Sequence, residues 1–137
     1  MTTWTNRGKR RAATGEFDPD NLTMALLTAT PADATAVDWN TASDITNEVS
    51  SGVVASYART AMGTATITED DTANEAQIDY ADVDFGALEV GATPTCTVAI
   101  DLTTSEVMWV SAFTSPQPTN GTDYVVAAPA TGLAAVT

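Results

Sequence analysis

Leu22-Thr23-Met24-Ala25-Leu26-Leu27-Thr28-Ala29-Thr30 decides how this chain is read. Side chains of an extended segment alternate between two faces. Here Leu22, Met24 and Leu26 fall on one face and Ala25, Leu27 and Ala29 on the other, which predicts a strand buried on both sides in the middle of a sheet. Asp18-Pro19-Asp20-Asn21 before it and Pro31 after it are turn chemistry, and so short an apolar run between turns fits a strand better than a buried helix.

The same stretch is a boundary in charge. Arg7, Lys9, Arg10 and Arg11 precede it, and residues 12–137 hold Arg59 alone against all 18 Asp and Glu, for a net charge of −13. The asymmetry divides the 137 residues into a basic N-terminal arm, residues 1–21, and an acidic β body, residues 22–137. With 44% hydrophobic residues the chain can bury a core of one domain, and no apolar run approaches the about 20 residues of a membrane span. No apolar stretch near the N-terminus resembles the core of a secretory signal, so use without export is expected. The acidic body disfavours anionic membranes and nucleic acid and favours neutral, basic or polar partners.

Residues 4–14 end at Gly15, a suitable residue just past a helix, and predict a short helix too brief to be stable alone. Residues 31–44 read as a loop anchored by Trp39, followed by one helical turn within 41–48. Strands are expected over 54–58, 63–68 and 77–83, the last as one strand or two short ones, with a charged connection at 69–75 and a bend at 85–92. Residues 95–101 and 106–113 make the clearest hairpin, with Val107, Trp109 and Ser111 opposing Met108, Val110 and Ala112. Short final strands at 123–127 and 132–137 complete an all-β sandwich or open barrel with a short N-terminal arm or helix.

Chemistry is sparse. The chain has no His and one Cys, which removes His-dependent triads, Cys/His zinc sets and any intramolecular disulfide. Cys96, in a strand-like run, is expected in the core. Carboxylates pair at Asp18/Asp20, Asp82/Asp84 and Glu69-Asp70-Asp71, spacings that can serve glycoside hydrolysis or Ca²⁺. A chain this acidic makes such pairs by composition, so they are expected to be solvated or to cap turns, and no catalytic residue, cofactor or metal ligand is assigned. Arg59 is expected in a structural ion pair. The Trp and Tyr residues do not cluster in sequence and are expected in the core or an interface.

The basic run is the candidate binding element. Trp4 as an apolar anchor, with Arg7, Lys9, Arg10 and Arg11 facing acidic groups, would form a partner-binding arm that is ordered only against a neighbour. On this expectation residues 1–11 are needed for binding and dispensable for folding.

Asn6-Arg7-Gly8-Lys9-Arg10, Gly15-Glu16-Phe17-Asp18, Leu22 to Thr28, Asn47-Glu48-Val49-Ser50, Tyr57-Ala58-Arg59 and Ala81-Asp82-Val83-Asp84-Phe85, in that order, resemble a family of small tailed-bacteriophage virion structural proteins. The likeness spans roughly residues 6–113 and departs at 87–94. It implies a capsid decoration, or cement, protein on the virion surface, made in the host cytoplasm, whose partners are the major capsid protein and neighbouring copies, with no catalytic residues. A tail-tube or head-tail connector subunit and a carbohydrate-binding β-sandwich module are the alternatives.

Overall fold

The structure, a computed structural model, describes residues 2–128 and 134–136. In chain order they form β1 (Thr2–Trp4), α1 (Asn6–Thr14), β2 (Leu22–Leu27), α2 (Asp33–Ala36), a 3-10 turn (Ala42–Asp44), β3 (Thr60–Ala61), β4 (Thr66–Asp70), β5 (Glu75–Asp79), β6 (Val83–Ala87), β7 (Cys96–Asp101), β8 (Val107–Ala112), β9 (Asp123–Val126) and β10 (Ala134–Val136). The main sheet runs β1-β8-β7-β2-β3, beside a sheet β10-β5-β4 and a pair β6-β9, and every pairing is antiparallel.

All six residues of β2 are buried, and its two faces feed two cores. Leu22, Met24 and Leu26 meet Ile78, Val83, Phe85 and Val126 of the two smaller sheets. Ala25 and Leu27 join Cys96, Val98, Ile100, Val107 and Val110 beneath Ala36 and Trp39. The protein is therefore all-β and sandwich-like, with one main sheet covered on one side by strands and on the other by the loop that Trp39 anchors.

Differences from the sequence reading have local causes. A strand, β1, precedes β2, and the helix expected over 4–14 begins only at Asn6 because Thr2–Trp4 pair with Ser111, Val110 and Trp109. Residues 54–58 form turns rather than a strand, since Val54 and Tyr57 amides bond back to Ser50 and Val54 carbonyls. The helical turn, by contrast, lies within the expected 41–48, at Ala42–Asp44, where the Asp44 carboxylate accepts from the Asn40 and Thr41 amides. The expected bend at Phe85 lies inside β6, and Gly86 (φ 72°) takes up the irregular register between Asp84 and Ala87. Over 77–83 the second of the two expected readings holds, two strands, with β5 ending at Asp79 and β6 starting at Val83. Of the expected strand over 132–137, Gly132, Leu133 and Thr137 lie outside the described residues.

The consequential difference is in β8. Trp109 pairs with Ala99 while Val107 pairs with Ile100, so Met108 is an extra residue and the strand bulges there. Strict alternation would put Val107 and Trp109 on one face. Instead Val107 joins Val110 in the second core, and Met108 and Trp109 both enter the first. The bulge also turns backbone oxygens outward. The Met108 carbonyl accepts from the Thr5 amide (3.0 Å), and the Val107 carbonyl from the Thr5 hydroxyl (2.6 Å).

Thr5 is the N-cap of α1, its hydroxyl accepting from the Gly8 amide at 2.9 Å. Gly8 lies against the bulge so closely that an added Cβ would overlap the Met108 carbonyl oxygen. At an exposed helix position Gly→Ala adds up to about 1 kcal/mol of stability. Here Gly8→Ala is expected to remove about 1–3 kcal/mol by overpacking. A lowered urea midpoint at unchanged slope is the expected readout; a variant as stable as the parent would show that α1 does not sit against Met108.

Candidate functional site

The five residues expected to bind a partner fall within residues 4–11, and the structure turns them in different directions. Trp4 packs inward, its ring 5.0 Å from Trp109 and 5.6 Å from Phe17 between centroids. Arg7 reaches Glu106 at 3.2 Å. Arg11, with its side chain only 12% exposed, donates to Glu106 (2.7 Å), Asp101 (3.3 Å) and the Glu16 carbonyl (2.6 Å). Its guanidinium is held above the ordinary arginine range, first by the hydrogen bond to Glu106 and then, against burial, by the charge of Asp101. Lys9 and Arg10 face solvent; Arg10 makes a long, exposed pair with Glu16 at 3.7 Å, and Lys9 makes no ion pair among the described residues.

The expectation that this segment is ordered only against a neighbour is therefore replaced. Its dock is its own chain: β1 extends the main sheet, Thr5 ties into the bulge, and Arg7 and Arg11 lie on the turn between β7 and β8. Asp101 organises that turn, its Oδ1 accepting from the amides of Thr103 (2.9 Å) and Thr104 (2.8 Å). Asp101 and Glu106 are the partners that sequence reading missed. The available signal was two acids flanking the best hairpin, and it does not name a cation about ninety residues away.

Arg59 forms the expected structural pair, a bidentate contact with Glu48 at 2.8 and 2.6 Å. Tyr57 adds a third bond, its hydroxyl donating to Glu48 (2.9 Å) while accepting from the Leu26 amide (3.0 Å). Burial pushes Glu48 up, but the hydrogen bonds from Arg59 and Tyr57 and the charge of Arg59 outweigh it and hold the carboxyl below its ordinary value of 4.5. A depressed carboxyl contributes stability above its ordinary value and loses it as pH falls through the folded value. Glu48→Gln is thus expected to cost up to about 1 kcal/mol at neutral pH, a modest figure because the pair is partly exposed. The gap from the parent should close on acidification below about pH 4.5; an equal gap in urea melts at neutral and acid pH would contradict the assignment.

The paired carboxylates serve turns in part, as expected, whereas Asp20 and Asp82 tie distant segments by accepting from the amides of Ala65 (2.7 Å) and Ala128 (3.1 Å). Asp18 accepts from the Asp20 amide, Asp84 from Gly86, and Asp70 from Thr72 and Ala73. Among the described residues no three His, Cys, Asp or Glu are grouped to hold a metal ion, and no helix is long and apolar enough to cross a membrane.

Among the described residues β4 is an outward-facing strand. Its first four residues are exposed, Ile67 at 56%, whereas the facing Ile78 on β5 is 2% exposed. The hairpin it forms with β5 carries Glu69, Asp70, Asp71, Glu75 and Asp79.

Comparison with protein-family models, with curated proteins and with solved structures finds no match to this chain. The class that fold and surface define is an all-β, sandwich-like domain with its cations turned largely onto its own carboxylates and an acidic hairpin at one edge.

Proposed function

We propose that this chain is a virion structural protein that decorates a tailed-bacteriophage capsid, binding the major capsid protein from outside. The observation that carries the reading is the disposition of charge. Arg7, Arg11 and Arg59 are engaged by Glu106, Asp101 and Glu48, so Lys9 and Arg10 are the outward cations on a surface that is otherwise anionic. Such a surface is repelled by nucleic acid and anionic lipid and drawn to a basic or polar protein surface. The ordered motifs of residues 6–113 support the same reading through their likeness to virion structural proteins. In it, Trp4, Arg7 and Arg11 hold the segment from which Lys9 and Arg10 project.

The test adds purified protein to undecorated capsids and counts bound copies by gel densitometry over a salt series. Saturable, salt-weakened occupancy is expected; no binding at any salt concentration would refute decoration.

A second reading, sugar binding, draws on a groove of about 460 Å³ beside β9, where Phe113 and Tyr124 lie near Gln117, Asn120 and Asp123. Glycan binding lost in Tyr124→Ala would favour it over decoration.

A further inference from the structure

We propose that the protein meets its partner along the outer edge of β4, and that the occupant is an extended, Lys- or Arg-bearing segment of the shell protein that adds to the sheet β10-β5-β4 as its next strand. The inference rests on the decoration reading and names the contact within it. β4 ends its sheet, and its register with β5 runs unbroken from Thr66↔Asp79 to Asp70↔Glu75. Natural edge strands are commonly blunted by proline, a bulge, a cover or charged side chains, and on β4 the charges are Glu69 and Asp70, which repel another acidic edge but attract a basic strand. β4 has no proline and no bulge, and among the described residues no other strand pairs with its outer side. The β1 edge of the main sheet differs, because α2 flanks β1 and Asp33 accepts from the Thr3 hydroxyl at 2.8 Å. A regular edge with a row of free backbone donors and acceptors is the template that strand addition uses.

Charge sets the chemistry of the occupant. Asp70 and Glu75 stand directly across from each other, a like-charged pair that weakens an antiparallel ladder. Gln77 Nε2 reaches Asp70 at 3.4 Å and Glu75 at 3.2 Å, and none of the ion pairs among the described residues involves the hairpin's acids. A Lys or Arg on the incoming strand would neutralise this pair with Glu69 and Asp71 close by. A second copy of this chain is the poorer occupant, because pairing two β4 edges brings two acidic hairpins together. On the exposed faces, Ile67 offers an apolar contact and Thr66 and Thr68 polar ones.

The experiment uses undecorated capsids, full-length protein, a Glu69→Lys/Asp71→Lys variant and a Lys9→Glu/Arg10→Glu variant, together with hydrogen exchange of the capsid-bound protein. The hairpin reversal is expected to weaken binding about tenfold or more at low salt, and the outward-facing amides among residues 66–70 to gain protection on binding. Undiminished binding by the hairpin variant, or β4 amides that exchange as fast bound as free, overturns the proposal while leaving decoration standing. Loss of binding only in the Lys9/Arg10 variant does the same and moves the contact to α1. If the unaltered protein fails to bind, the decoration reading falls and this inference with it. Should the hairpin variant misfold, as judged by circular dichroism, exchange of the unaltered protein decides.

Discussion

A chain lacking residues 1–11 is expected to be unfolded in dilute buffer rather than to persist as a folded β body. The deletion removes β1, strips Trp4 from Trp109 and Phe17, and takes away the Thr5 hydroxyl and amide that meet the bulge carbonyls. It also leaves Asp101, 2% exposed, and Glu106 without Arg11 or Arg7. Breaking a buried ion pair by removing one partner costs about 3–5 kcal/mol, because the remaining charge stays out of water. Losing a packed aromatic side chain adds about 3–5 kcal/mol. Together these approach the whole stability of a small domain, about 5–15 kcal/mol. The check is far-UV circular dichroism and urea unfolding of the truncated chain; a cooperative transition near that of the full chain would refute it. A single change separates the causes. Arg11→Met keeps most of the stem's packing and removes the charge, and a loss of about 3–5 kcal/mol is expected from it alone.

Trp109→Ala should produce the largest loss of any single truncation, about 3–5 kcal/mol. Trp109 is 1% exposed, with ring centroids 5.0 Å from Trp4, 6.0 Å from Phe17 and 6.5 Å from Tyr80. It joins the N-terminal segment, the main sheet and the smaller strands, so its removal opens a cavity that no one element can close. Trp109→Phe should lose less, because an edge or tilted ring contact survives. Urea midpoints and slopes for both variants test this. A midpoint for the alanine variant within about 1 kcal/mol of the parent would show that the cluster is not a keystone.

This keystone bears on function. A segment that looks like a detachable arm is part of the fold, so a deletion that abolishes capsid binding would report unfolding as readily as a lost contact. Charge reversal at Lys9 and Arg10, or at Glu69 and Asp71, separates binding from folding because all four side chains face solvent.

Period and neighbourhood in sequence determine a good deal here. β2 with its two buried faces, the β7–β8 hairpin, the core position of Cys96, the anchoring role of Trp39 and the all-β class follow from alternation and from turns at its limits, which are properties of a few consecutive residues. That Arg59 would pair with an acid follows from its being the lone cation of an acidic body. Three things were decided only in three dimensions. The bulge at Met108 adds one residue to one strand, and no local pattern marks it because Val107, Met108 and Trp109 are all apolar. The destination of the N-terminal cations depends on Glu106 and Asp101, which lie about ninety residues further along the chain and are brought to α1 by the β7–β8 turn. The isolation of β4 depends on which strands its sheet lacks; the sequence, with its Thr-Ile-Thr alternation, marks a strand there without marking an edge. Alternation records which way a side chain points, whereas pairing partners and edges depend on contacts that the chain makes only after it closes on itself.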